Sequence, residues 1–208
     1  MNTASHDFTA TPTKHLTRVK TLELVKGHTG LFRNGKLVRD WMELASEQDP
    51  TFGLLRDHGV LGQYIGVNFN QGMLDLNAAH YPIETAAGQA LWVQGNIHVL
   101  LAQPIASNVG VLVYDGYDGV KSQSDKMYGI LRQLCSFALT QHQNLGQFML
   151  VLNFSLRGAN NSDVSLHLDR LRHFMPGIQI TPDNLHIYQS EGRTTKMMLC
   201  RIGLGFTR

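Results

Sequence analysis

Residues 148–156, FMLVLNFSL, are the most apolar stretch of the chain. The run is far short of the roughly 20 apolar residues that a membrane-crossing helix needs, and it lacks the alternation of a strand with one wet face. It predicts a strand buried on both sides, and therefore central in its sheet. Every other element has to be arranged around it.

A long helix is expected just before it, from about residue 122 to 142, because Met127, Ile130, Leu131, Leu134 and Ala138 share one face. A second helix over 163–175 follows it, with Val164, Leu168, Leu171 and Met175 as its apolar stripe. The remaining segments suggest hairpins. HLTRVKTLELV (15–25) alternates enough to be a strand, GQYIGVNFNQGMLDL reads as strand, turn, strand about Asn70 to Gly72, and Gly95-Asn96 divides two β-rich runs as a tight hairpin turn would. NVGVLVY (108–114) is a further strand, and NLHIYQ with TKMMLCRIGLGF forms a C-terminal hairpin. LVRDWMELASEQD is expected to be helical, since Leu37, Trp41, Leu44 and Ala45 recur at helical spacing, and a short helix FGLLRDHG follows it. The fold class expected from this reading is α+β: a mainly antiparallel sheet built from hairpins, with one long and two or three short amphipathic helices packed on it. Residues 1–15 are expected to be a flexible polar tail and 16–208 a single domain.

Charge is uneven along the chain. Residues 1–39 carry seven Lys and Arg against two acids, residues 40–125 two against ten, and residues 126–208 nine against four. Basic ends of this kind suggest a footprint for a polyanion, or a complement to the acidic middle or to a protein partner. The start of the chain has no cationic segment followed by an apolar run, so a cytoplasmic location is expected. Cys135 and Cys200 have no metal-knuckle or disulfide-framework spacing and read as reduced core residues.

The nine residues SLHLDRLRH (165–173) concentrate two histidines, an aspartate and two arginines. His167 and His173 are six apart, whereas two imidazoles on one helix share a metal only at three or four. The metal reading fails, and a solvated helix with Arg170 and Arg172 outward remains. YDGYDG (114–119) offers Asp115 and Asp118 near Lys121 between a strand and a helix, without the third ligand and closing glutamate of a calcium loop. GxSxG, Walker A and GxGxxG motifs are absent.

The leading expectation is therefore a regulatory or assembly protein that binds nucleic acid, DNA included, without catalysing a reaction. Its contacts would be Lys14, Arg18, Lys20, Arg33 and Lys36, with Arg170 and Arg172 as a second line. Neither metal nor cofactor is expected, nor a membrane partner, and hairpin edges suggest a homodimer. Two alternatives stand beside it: a small hydrolase or transferase using Asp115, Asp118 and Lys121, and a protein-interaction or scaffold component.

Overall fold

The computed structural model describes residues 12–27, 29–47, 49–60, 62–119, 125–177, 185–189 and 196–205. In chain order the elements are α1 (Pro12–Lys26), β1 (Phe32–Arg33), β2 (Lys36–Leu37), β3 (Asp40–Leu44), α2 (Pro50–Asp57), β4 (Tyr64–Asn68), α3 (Gln71–His80), α4 (Pro82–Ala86), β5 (Ala90–Gln94), α5 (Ile97–Leu100), β6 (Val109–Gly119), α6 (Asp125–Leu145), β7 (Phe148–Ser155), α7 (Asn161–Phe174), β8 (Leu185–Gln189) and β9 (Lys196–Leu204).

Seven strands form one sheet in the order β5-β4-β3-β6-β7-β9-β8. The pairs β4–β5, β3–β4, β3–β6 and β6–β7 are parallel, and only β9 runs against its neighbours β7 and β8. The mainly antiparallel hairpin sheet is thus corrected to a mostly parallel sheet with helices on both faces. On one face, α1 and α2 cover Trp41, Tyr64, Val111, Val151 and Leu199; on the other, α5, α6 and α7 cover Met42, Ile65, Leu112, Leu150 and Cys200. β7 lies inside this sandwich with Phe148 to Phe154 all buried, as the apolar run requires.

Two of the misread elements share one cause: an asparagine followed by a turn serves a helix cap as well as a hairpin. Asn70 is the N-cap of α3, accepting from Met73 N (3.4 Å), and Asn96 is the N-cap of α5, accepting from His98 N (3.0 Å). Both expected return strands are therefore helices, as a parallel sheet demands. The real Asn-Gly hairpin is Asn34-Gly35, with φ of 53° and 77°, joining β1 to β2 outside the main sheet. Residues 15–25 are helical because Thr17, Thr21, Leu22 and Val25 form a buried stripe under exposed Lys20 and Glu23. Conversely, Trp41 to Leu44 make a strand that faces both layers, with Trp41 on the α1 side and Met42 on the other. α1 starts at Pro12, inside the expected tail, and residues 1–11 lie outside the described ones.

α2 is held by aromatic packing. Phe52 meets Tyr64, Tyr81 and Trp92 edge-on at 5.2, 4.6 and 5.6 Å between ring centroids. Its first turn is closed by Asp49, which accepts from Phe52 N (3.1 Å) and from the Tyr64 hydroxyl (2.7 Å). Among the described residues, no helix is long and apolar enough to cross a membrane.

Candidate active site

A wound sheet opens a crevice where adjacent strands send their connections in opposite directions, beyond the strands' carboxyl ends. Here that point lies between β3, which leads to β4, and β6, which leads to β7. A cavity of about 100 Å³ opens at this end, on the α1 face. Its polar lining includes Arg18 of α1, Glu43 of β3, Asp115 of β6, Asn153 of β7 and Tyr188 of β8, with the hydroxyl residues Thr17, Thr21, Ser46 and Thr51, set among Leu22, Leu54 and Val113.

The polar groups are wired together. Asn153 gives both amide protons away, one to Asp115 Oδ1 and one to the Tyr188 hydroxyl, each at 2.9 Å. That network fixes the amide orientation, because a carboxylate only accepts. Asn153 Oδ1 is then left buried without a hydrogen-bond partner, as is Arg18 Nη1, whose Nε donates to Thr51 Oγ1 at 3.1 Å. Buried polar atoms are nearly always satisfied, so two orphans in one cavity mark a place built for something else.

The carboxyls of this region sit high. Burial pushes Glu43 up to about 8, and neighbouring Asp49 adds to it, against the Trp41 Nε1 donor (2.8 Å) and the charge of Arg18. Burial likewise raises Asp49 from its ordinary value despite its hydrogen bond from Tyr64. Tyr188 is pushed up to about 12, first by burial and then by the charge of Asp115, so its hydroxyl keeps its proton.

The same rim continues over β4 and β5. Asn68 Nδ2 donates to Ala45 O (2.7 Å) and its Oδ1 accepts from Asn70 N (2.8 Å), while Gln94 Nε2 donates to Phe69 O (3.1 Å). Beyond the strand ends Phe69 is 68% exposed and Val99 58%, leaving apolar surface beside these amides.

Of the residues expected from the sequence, Asp115 is in the cavity. The backbone of Asp118 continues β6, while its side chain and the whole of Lys121 lie outside the described residues. Arg18 turned out to be a cavity residue. Lys20, Arg33 and Lys36 are exposed on α1 and the β1–β2 hairpin, and the Lys14 side chain is not among those described. Arg170 and Arg172 belong to α7 on the opposite face, where Arg170 stacks on Tyr128 at 3.7 Å and Arg172 pairs with Asp169 at 2.7 Å. The two basic lines do not converge. Among the described residues, no cluster of His, Cys, Asp and Glu could hold a metal. Sequence reasoning missed Glu43, Asn153 and Tyr188. The signal for the first two was a polar residue near the carboxyl end of an otherwise apolar strand.

No family model matches the chain, and no curated protein resembles it in sequence. Its fold, however, recurs among solved structures. It is similar to Mycoplasma capricolum TrmK bound to S-adenosyl-homocysteine (TM-score 0.52, 12% identity, covering 88% of this chain and 66% of that one). It is also similar to the METTL16 methyltransferase domain (0.57, 10%, 92% and 68%) and to Streptococcus pneumoniae Sp1610, proposed to be a tRNA methyltransferase (0.53, 18%, 91% and 71%). The chain spans only about two thirds of these proteins' length. At such identities the likeness establishes the fold, that of Rossmann-like methyltransferases. It corrects the expectation of a non-catalytic regulatory or DNA-binding protein, because these neighbours are methyltransferases. The homodimer is not supported either, since of the hairpins it was argued from only the C-terminal pair β8–β9 forms.

Proposed function

We propose that the protein is a methyltransferase that takes its methyl group from S-adenosylmethionine and delivers it to a nucleic acid. The observation that carries this reading is the cavity at the sheet's switch point, which holds two buried, unpartnered polar atoms in a fold shared with methyltransferases.

The residues present suit this donor better than a dinucleotide. A pyrophosphate needs glycines after the first strand of the wound sheet and an open helix N-terminus. The segment 44–50 has no glycine, and Asp49 closes the N-terminus of α2 with its own carboxylate. S-adenosylmethionine carries no phosphate and is net cationic, which fits a cavity richer in carboxyls than in cations. Arg18 Nη1 would hold its carboxylate, Asn68 and Asn96 would meet the ribose and base, and Phe69 would support the flat ring. An amide at Asn68, where nucleotide folds place an acid, implies modest donor affinity. When bound, the donor supplies an electrophilic methyl group on a sulfonium. The protein's part is to desolvate and orient the acceptor, and Asp115, held by Asn153, stands where it can take up the proton that a methylated nitrogen sheds.

A nucleic-acid acceptor is supported by exposed Lys20 on α1, the helix whose Thr17, Arg18, Thr21 and Leu22 line the cavity, by exposed Arg33 and Lys36 on the β1–β2 hairpin at the amino ends of the strands, and by a neighbour proposed to act on tRNA. Incubation with S-adenosylmethionine labelled at its methyl group and with total RNA tests the reading. Label should enter RNA with the wild type and fail to enter with Asp115→Asn. RNA left unlabelled by the wild type would refute a nucleic-acid acceptor.

A further inference from the structure

We infer that Thr51 is a positioning residue: its hydroxyl, set between Arg18 and Glu43, orients the cavity's cation for an anionic group of a bound ligand and keeps it from collapsing onto the carboxyl. This rests on the methyltransferase reading for the identity of that group, the donor's carboxylate, but not for the link between the three side chains.

Arg18 is the one cation among the described residues that line the cavity, where Glu43 and Asp115 are acids. A long, flexible cation in that company would settle directly on a carboxylate, and the ion pair so made would compete with any anionic ligand. The structure sets a hydroxyl between them instead. Arg18 Nε donates to Thr51 Oγ1 at 3.1 Å, and the same hydroxyl is hydrogen-bonded to Glu43, which also accepts from Trp41 Nε1 at 2.8 Å. A hydroxyl accepts from a cation and donates to a carboxyl at once, adding no charge of its own; a valine of the same shape does neither. Because a guanidinium is planar, a bond at Nε also restrains the plane of its fork. Thr51 is itself held. It follows Pro50 at the start of α2, is only 7% exposed, and precedes Phe52, which packs edge-on against Tyr64, Tyr81 and Trp92. β-Branching leaves it few rotamers on a helix. The cation is thus oriented before a ligand arrives, so ordering its flexible side chain does not weaken binding.

Calorimetry with S-adenosyl-homocysteine, which carries the amino-acid carboxylate, and with methylthioadenosine, which lacks it, tests the inference in the wild type, Thr51→Val and Thr51→Ser. Thr51→Val should weaken S-adenosyl-homocysteine about tenfold, the usual cost of losing a hydrogen bond to a charged group, and leave methylthioadenosine unchanged. Thr51→Ser should keep the wild-type affinity for both. Added to Arg18→Met, Thr51→Val should cause no further loss, because the hydroxyl acts through the guanidinium. Thr51→Ala, which removes the same hydroxyl with less crowding, replaces a valine variant that does not fold. A second readout needs no ligand: the pH midpoint of the tryptophan fluorescence change that Glu43→Gln abolishes. Losing a hydrogen bond to the ionised carboxyl should raise that midpoint in Thr51→Val and leave it in place in Thr51→Ser. Asp49 at the start of α2, Tyr64 of β4 and Arg18 of α1 also face Glu43 and are common to these three proteins. Unchanged S-adenosyl-homocysteine affinity in Thr51→Val, equal weakening of both compounds, or an additive loss in the double variant overturns the inference and leaves the methyltransferase reading standing. If the wild type binds neither compound, that reading falls and the midpoint decides alone: a rise in Thr51→Val that Thr51→Ser does not show sustains the link, and an identical midpoint overturns it.

Discussion

Glu43→Gln should make the protein more stable at alkaline pH and leave it unchanged in acid. Glu43 is buried on β3 at the cavity wall, and burial, with Asp49 nearby, pushes its carboxyl up to about 8 from the 4.5 of an exposed glutamate. Between those values the folded protein holds a proton that the unfolded chain has released, so stability falls as pH rises through the interval. Below 4.5 both states are protonated and the residue costs nothing; above about 8 both are ionised and the whole cost of a buried charge is present. At roughly 1.4 kcal/mol per pH unit, the interval from 4.5 to about 8 corresponds to about 4–5 kcal/mol. Glutamine keeps an oxygen for the Trp41 Nε1 donor and cannot ionise. Urea unfolding of both proteins at several values from pH 5 to 8.5 reads the difference, in which the titration of the interacting Asp49 is included. The two should agree within about 1 kcal/mol at pH 5 and separate by several kcal/mol at pH 8.5. Parallel curves would show that Glu43 is ionised in the folded protein throughout, and the neutral cavity wall would be wrong.

The buried His167 gives the opposite slope. Burial lowers it to about 4 and neither ring nitrogen has a partner, so stability is intact above 6.5 and is lost as pH falls toward 4, by about 3 kcal/mol in full. His167→Leu should abolish that acid-side loss in thermal melts at pH 7 and pH 4.5. Asp49→Ala should lower stability by about 2–4 kcal/mol in urea unfolding, because it removes the α2 cap and strands the buried Tyr64 hydroxyl. Changing Lys20, Arg33 and Lys36 together to Gln should weaken RNA binding in gel shifts at every sequence and flatten its salt dependence, whereas changing Arg170 and Arg172 on the far face should do neither.

How legible this was in the sequence depended on whether a pattern had one physical meaning. The apolar β7 and the amphipathic α6 and α7 were readable, since nothing but a buried strand or a one-faced helix accommodates those patterns. The short elements were ambiguous. Trp41 and Leu44 suit one face of a helix and equally a strand buried on both sides, and Asn70 and Asn96 suit a turn or a cap. Those choices decided the fold class, because reading caps as turns converts a parallel sheet into hairpins. Asp115 could be singled out from YDGYDG alone. Its partners Asn153 and Tyr188 lie 38 and 73 positions farther on, and only the order of strands in the sheet brings the three together.

Calorimetric titration of S-adenosylmethionine into the wild-type protein at pH 6 and pH 8.5 tests the central claim most directly. The account predicts one site per chain, weaker in Arg18→Met, and tighter at pH 8.5 than at pH 6 because an ionised Glu43 favours a cationic ligand and must otherwise release its proton on binding. No binding at either pH, or binding that Arg18→Met leaves unchanged, would contradict the placement of a methyl donor at the switch point of this sheet.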